Sequence, residues 1–138
     1  MDIFESILDL EKRIKQLREK REEALEQALP SAVAYKADKV QTSGTGNTIE
    51  DAVIRADEIS RQITKLEQEQ KSLQKQLLKL MKPLKAKERQ VLYLRYINME
   101  RWKQIYCIME ISKQRTHKLH AQAKRHILER VETFPCKS

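Results

Sequence analysis

Residues 103–122 concentrate side chains that donate and accept hydrogen bonds at long reach: Lys103, Lys113, Gln114, Arg115, His117, Lys118 and Gln122. Lys and Arg can pair with guanine edges and with phosphates, and Gln can pair with adenine edges. This is recognition chemistry rather than bond-making chemistry. No nucleophile is placed beside a base, no glycine-rich phosphate loop is present, and no carboxylate pair has suitable spacing, so the chain is not expected to be an enzyme. His117 and His120 stand three apart and could join Cys107 around a metal, but nothing completes a tetrahedral set. No metal and no cofactor are expected.

A local conflict sharpens the pattern. Lys113 and Arg115 fall in the first turn of a helical segment, where the helix dipole is positive and a cation is unfavourable by roughly 0.3–1 kcal/mol. A helix that only served the fold would favour Asp or Glu there. Phosphate oxygens approaching that end would relieve the conflict.

Three short helices must position these residues. Val91, Leu92, Leu94 and Tyr96 mark one over Ala86–Ile97, and Ile105, Tyr106 and Ile108 mark a second over Trp102–Met109. Ser112 is a good N-cap for a third, from Lys113 to about Val131, with Thr116, Leu119, Ala123, Ile127 and Val131 facing inward. Trp102 and Cys107 read as core residues, and His126 as solvated. About three residues join the second and third helices, which makes a helix-turn-helix with the third as recognition helix. Its outward face is expected to carry Lys113, Gln114, His117, Lys118 and Gln122.

The runs Leu84–Ile97, Trp102–Ile105, Ile111-Ser112 and Arg115–Ala123 resemble region four of bacterial sigma factors. The resemblance implies promoter binding, with Lys113, Gln114, His117 and Lys118 matching the DNA-facing positions. Tyr106 stands where that family favours a small residue, and Glu110 where it favours glycine in the turn. The stretch Leu29–Ser43 ahead of a long helix and this module is similar to phage and prophage transcriptional regulators of ArpU/RinA-like type. That implies a switch for late or packaging genes.

The rest of the chain is built for long helices. The 138 residues are 40% hydrophobic and 35% charged, with two glycines and three prolines, a composition typical of coiled coils. Ile3, Ile7, Leu10, Ile14, Leu17, Arg21, Ala24 and Ala28 keep a heptad rhythm, with Asp2 as cap and Pro30 as stop. Residues 30–48 contain both glycines and read as a long connection. Thr48 with Asp51 resembles a capping box for a second long helix. Its stripe is read as Ile49, Val53 and Ala56, then, after a three-residue skip that would overwind a coiled coil, Ile59, Ile63, Leu66, Gln70, Leu73, Leu77 and Leu80. Pro83 ends it near Met81. The two stripes can pair as an antiparallel hairpin or between chains, and a homo-oligomer is expected. Gln70 would mark the register.

Charge separates the parts. Residues 1–81 carry 14 Lys/Arg and 15 Asp/Glu, whereas residues 82–138 carry 14 and 5. The expectation is an all-α chain, with residues 1–81 as a long-helix oligomerisation region and 82–138 as the DNA-binding domain. Partners expected are double-stranded DNA, further copies of the chain and RNA polymerase. Two other classes compete: a small terminase-like packaging adaptor, which normally places its DNA-binding module first, and a polymerase- or sigma-interacting protein that reads no DNA. No apolar run approaches membrane-spanning length and the first residues do not form a signal peptide, so a bacterial cytoplasm is the expected compartment.

Overall fold

The computed structural model describes residues 1–28 and 42–133. It is all-α, without a strand among the described residues. No described helix is long and apolar enough to cross a membrane. The elements are α1 (Ile3–Ala28), α2 (Thr42–Met81), α3 (Ala86–Leu92), which continues as a π-helical turn over Tyr93–Ile97, α4 (Trp102–Met109) and α5 (Lys113–Thr133). They fall into two units, Met1–Leu8 with Lys71–Ser138, and Asp9–Gln70.

In the second unit α1 and α2 pair as an antiparallel hairpin within one chain. Arg18 donates to Glu67 at 2.6 Å, Arg21 to the Ser60 hydroxyl at 3.2 Å, and Gln70 to Glu11 at 3.1 Å. Gln70 is buried in the seam, so it marks the register as expected. The exposed ion pairs add little, about 0–1 kcal/mol each. Packing supplies more, with Leu10, Ile14, Ala24, Ala52, Ala56, Ile63 and Leu66 all buried.

The start of α2 differs from expectation. Ala52 and Ala56 are buried, whereas Val53 is 51% and Ile49 38% exposed. The seam therefore runs 52, 56, 59, 63, 66, 70, 73, 77 and 80 in an unbroken 4-3 alternation, and the expected skip does not exist. The register places Ala24 about level with Ala56, and alanines on both sides let the helices approach closely. The helix also begins at Thr42, so Thr48 lies inside it and does not cap it. Extending a formed helix is favourable enough per residue to absorb two glycines at about 1 kcal/mol each. The rest of the expected connection lies outside the described residues.

The first unit is built around Phe4, Ile7, Leu77, Met81, Leu84, Leu92, Tyr96, Ala123 and Ile127. Asp2 caps α1 through a 2.8 Å bond from the Glu5 N–H and so fixes the turn carrying Phe4 and Ile7. The carboxyl end of α2 is held by cations. Arg89 donates to the carbonyls of Lys82 and Leu84 at 3.2 and 2.7 Å, and Arg130 of α5 donates to the carbonyl of Leu80. Arg130 meets a carbonyl of the last turn of α2, where the dipole favours positive charge, and Arg89 satisfies two carbonyls of the connection that follows.

Two inward assignments, Cys107 and Val131, are corrected, and Ile108 of α4 also proves outward. Cys107 is an exposed free thiol, Ile108 is 50% exposed and Val131 is 45% exposed. On α4 the inward positions are 102, 105, 106 and 109, which leaves 107 and 108 outside. At the end of α5 it is Arg130, not Val131, that meets α2.

The core gives the first prediction. Leu77 has no exposed surface, so Leu77→Ala is expected to destabilise the protein by about 2–5 kcal/mol in urea unfolding. A fragment of residues 82–138 lacks Phe4, Ile7, Leu77 and Met81, and it is expected to show no cooperative thermal transition by circular dichroism. A fragment that melts like the intact chain would refute this account of the core.

Candidate nucleic-acid interface

The turn between α4 and α5 is three residues long, Glu110 to Ser112, as the sequence suggests. Glu110 ends α4 in the left-handed conformation, φ 55° and ψ 40°, and its N–H bonds to the carbonyl of Tyr106. This conformation reverses the chain at once, and it is the one that favours glycine. Ser112 then opens α5: its hydroxyl accepts from the Arg115 N–H at 3.1 Å, and its carbonyl accepts from the Thr116 hydroxyl at 2.8 Å. Thr116 is fully buried, and Ala123 and Ile127 continue the same face inward.

The opposite face follows from that geometry. Lys113, Gln114, Arg115 and Lys118 are exposed, and no acidic residue lies in the first turn of α5. Gln114, Lys118, Ala121 and Arg125 recur at intervals of four, three and four, and all are exposed. Ala121 and Arg125 were not singled out from the sequence, although the spacing from Gln114 would have found them. Gln122 is half-buried and sits beside this stripe rather than on it. Lys103 is exposed on α4, and no described contact joins it to the α5 residues.

His117 is placed differently from its expected position. It is half-buried, its ring lies 4.5 Å from that of Trp102, and its Nε2 shares a 2.6 Å hydrogen bond with the Tyr106 hydroxyl. It is therefore part of the seam between α4 and α5, not of the outward face. Tyr106, the large residue where the sigma-like pattern has a small one, is accommodated through this pairing. Its ring stands edge-on to the imidazole at 5.6 Å and 70°.

A second histidine extends the seam. His120 stacks on Tyr96 at 5.7 Å and meets Trp102 edge-on at 4.7 Å. Trp102 is therefore half-buried against both histidines and capped by the Arg95 guanidinium at 4.9 Å, rather than plugging the core. Ile105 fills the core from α4 instead. Burial, reinforced by Lys124, His117 and Arg95, pulls His120 down to about 4, and burial pushes Tyr96 up to about 12. At neutral pH His120 is thus uncharged and Tyr96 keeps its proton, and the Tyr96 hydroxyl and His120 Nε2 share a 2.7 Å hydrogen bond. The π-helical turn that carries Tyr96 is held in turn by Gln74, whose side-chain amide donates to the Tyr96 carbonyl at 2.9 Å.

His126 is half-exposed, and its Nδ1 lies 3.5 Å from the buried Glu88 carboxylate. Among the described residues no cluster of His, Cys, Asp or Glu could hold a metal ion.

Two outcomes follow from these contacts. Replacing Glu110 by glycine relieves the left-handed backbone, so Glu110→Gly is expected to stabilise the protein by about 1 kcal/mol, read as a higher urea midpoint. A lower midpoint would contradict that assignment. For His120, the unfolded chain takes up a proton near pH 6.5 while the folded chain resists until about 4. Its stabilising effect is complete above pH 6.5 and is lost progressively as pH falls towards 4, by on the order of 1–3 kcal/mol. Urea midpoints between pH 7 and 4.5 are expected to fall less steeply in His120→Gln than in the parent chain. Equal slopes would remove His120 as the cause.

Comparisons with family models, with curated proteins and with solved structures found no match to this chain. Its function is read from the module's own geometry and charge.

Proposed function

We propose that this protein is a sequence-specific DNA-binding transcriptional regulator of the phage late-gene activator type, working in the cytoplasm of a bacterial host and not as an enzyme. Its recognition helix, residues 113–131, enters the major groove. The observation that carries this reading is the exposed stripe Gln114, Lys118, Ala121 and Arg125, opposite a buried stripe and directly after a three-residue turn. Gln114 and Lys118 have the reach for base edges, Ala121 suits a thymine methyl, and Lys113 and Arg115 flank them for phosphates. His117 takes no base-reading role, because its Nε2 is engaged by Tyr106. Its part is to hold the recognition helix on α4.

Self-association belongs to the same proposal. Leu25, Ile49, Val53 and Ile54 are exposed apolar residues of the hairpin unit. A dimer would present two recognition helices to one duplex and raise affinity without new contacts. RNA polymerase is the further partner expected of an activator.

The test is a titration of full-length variants against the promoter fragment found by footprinting on the parent genome and against scrambled duplex, at several salt concentrations. Gln114→Ala and Lys118→Ala are each expected to weaken the specific site by about 1–3 kcal/mol with little effect on scrambled DNA. Arg115→Ala is expected to weaken both about equally and to lower the salt slope by about one. Preserved site preference in both Gln114→Ala and Lys118→Ala would eliminate α5 as the reading element.

A further inference from the structure

Residues 71–87 contain Lys71, Lys75, Lys79, Lys82, Lys85 and Lys87 and no carboxylate before Glu88. All six lysines are exposed, and among the described residues none enters an ion pair. Lys71, Lys75 and Lys79 stand four residues apart on α2, so they share one face. The buried or half-buried leucines at this end of α2, Leu73, Leu77 and Leu80, lie on the other.

Solubility alone explains this face poorly. Several exposed positions elsewhere in the chain pair opposite signs one turn apart, as in Asp57 with Arg61 and Asp9 with Arg13. Like charges four apart instead destabilise a helix slightly. The helix dipole favours a cation only in the last turn, which accounts for Lys79 but not for Lys71 or Lys75. A row of cations kept against local preference fits a polyanion.

We infer that the Lys71–Lys75–Lys79 face of α2 is a second phosphate-contact surface, which binds the backbone of the duplex without reading its sequence. Lys71 and Lys79 are separated by about 12 Å along the helix axis. That distance spans three to four phosphates of one strand at about 3.4 Å of axial rise each. The face belongs to the same unit as α5, the unit that also holds the chain's basic excess. The inference rests on the DNA-binding reading above, but it assigns a different role to different residues. Gln114 and Lys118 set site preference, whereas these lysines set affinity for any duplex.

The experiment uses the full-length chain with Lys71, Lys75 and Lys79 all changed to Gln, and the same three changed to Arg as the charge-keeping control. Binding to the specific and scrambled duplexes is titrated from about 50 to 200 mM salt, with thermal melting to show that both variants fold. The Gln variant is expected to lose two to three units of salt slope, at about 0.9 per phosphate contact. Its affinity for both duplexes should fall roughly 10- to 1,000-fold while the ratio between them is kept, and the Arg variant should match the parent chain. An unchanged salt slope in the Gln variant, with the parent chain binding DNA normally, overturns this inference and leaves the DNA-binding reading intact. A parent chain that binds no duplex at low salt overturns both. Sedimentation of the parent chain with vesicles of phosphatidylserine and phosphatidylcholine, lost in the Gln variant while duplex binding is kept, would reassign the face to an anionic membrane.

Discussion

The module depends on two apolar knobs that come from far away in the sequence. Leu77 and Met81 close the end of α2, Phe4 and Ile7 open α1, and all four join Ala123 and Ile127 of α5 in one cluster. The chain has seven aromatics, so three short helices cannot enclose a core by themselves. Borrowing both helix ends supplies the missing apolar surface, at about 25 cal/mol per Å² removed from water. Ala123 is part of the solution. With no side chain beyond Cβ, it leaves room on the inner face of α5 where a larger residue would hold the helix off.

Polar contacts then set the angle that packing leaves free. Arg130 ties a carbonyl at the end of α2 to α5, and Arg89 of α3 holds the carbonyls of the connection between α2 and α3. Tyr96 with His120, and Tyr106 with His117, pin α5 at two successive turns to the π-helical segment and to α4. Apolar packing tolerates sliding, whereas hydrogen bonds between rings do not, and each is expected to contribute about 1 kcal/mol. Preorganisation of this kind spares a reading helix part of the ordering entropy when it meets its ligand. It also takes the two histidines out of the readout proposed for α5. Tyr106 holds the Nε2 of one, and burial beside Lys124 and Arg95 disfavours the charged form of the other.

Much of this was legible in the sequence. The bounds of α4, the end of α2 at Met81, the Asp2 and Ser112 caps and the three-residue turn all follow from side-chain chemistry within a few residues of each site. The failures share one cause, which is that local pattern ranks residues by size and polarity while tertiary contact ranks them by fit. Val53 and Ile49 looked like seam residues because they are large, yet the buried position is Ala52, which joins the expected Ala56 in the seam. His117 looked like a reader because it is polar and near a helix start, yet Tyr106, eleven residues earlier, claims it. The sequence likewise shows two long helices but not that their ends belong to the basic module, since Phe4 and Leu77 are ordinary heptad neighbours until their partners in α5 are known.

The distribution of broken rules is itself informative. In the hairpin unit several charges follow local preference, with Asp9–Arg13 and Asp57–Arg61 spaced one turn apart and Arg18 meeting Glu67 across the helices, while Glu19–Glu23 and Glu22–Glu26 set like charges one turn apart. The other unit repeatedly departs from it. Glu110 holds a left-handed backbone without being glycine, Lys113 and Arg115 face the positive end of α5, and Lys71, Lys75 and Lys79 repel one another along α2. Each departure is worth a fraction of a kcal/mol to about 2 kcal/mol. Two of the three here concern excess positive charge on exposed helix faces, and an approaching polyanion reverses the sign of that term. On the function proposed above, the charge pattern that weakens the isolated module is the one that strengthens its complex with DNA.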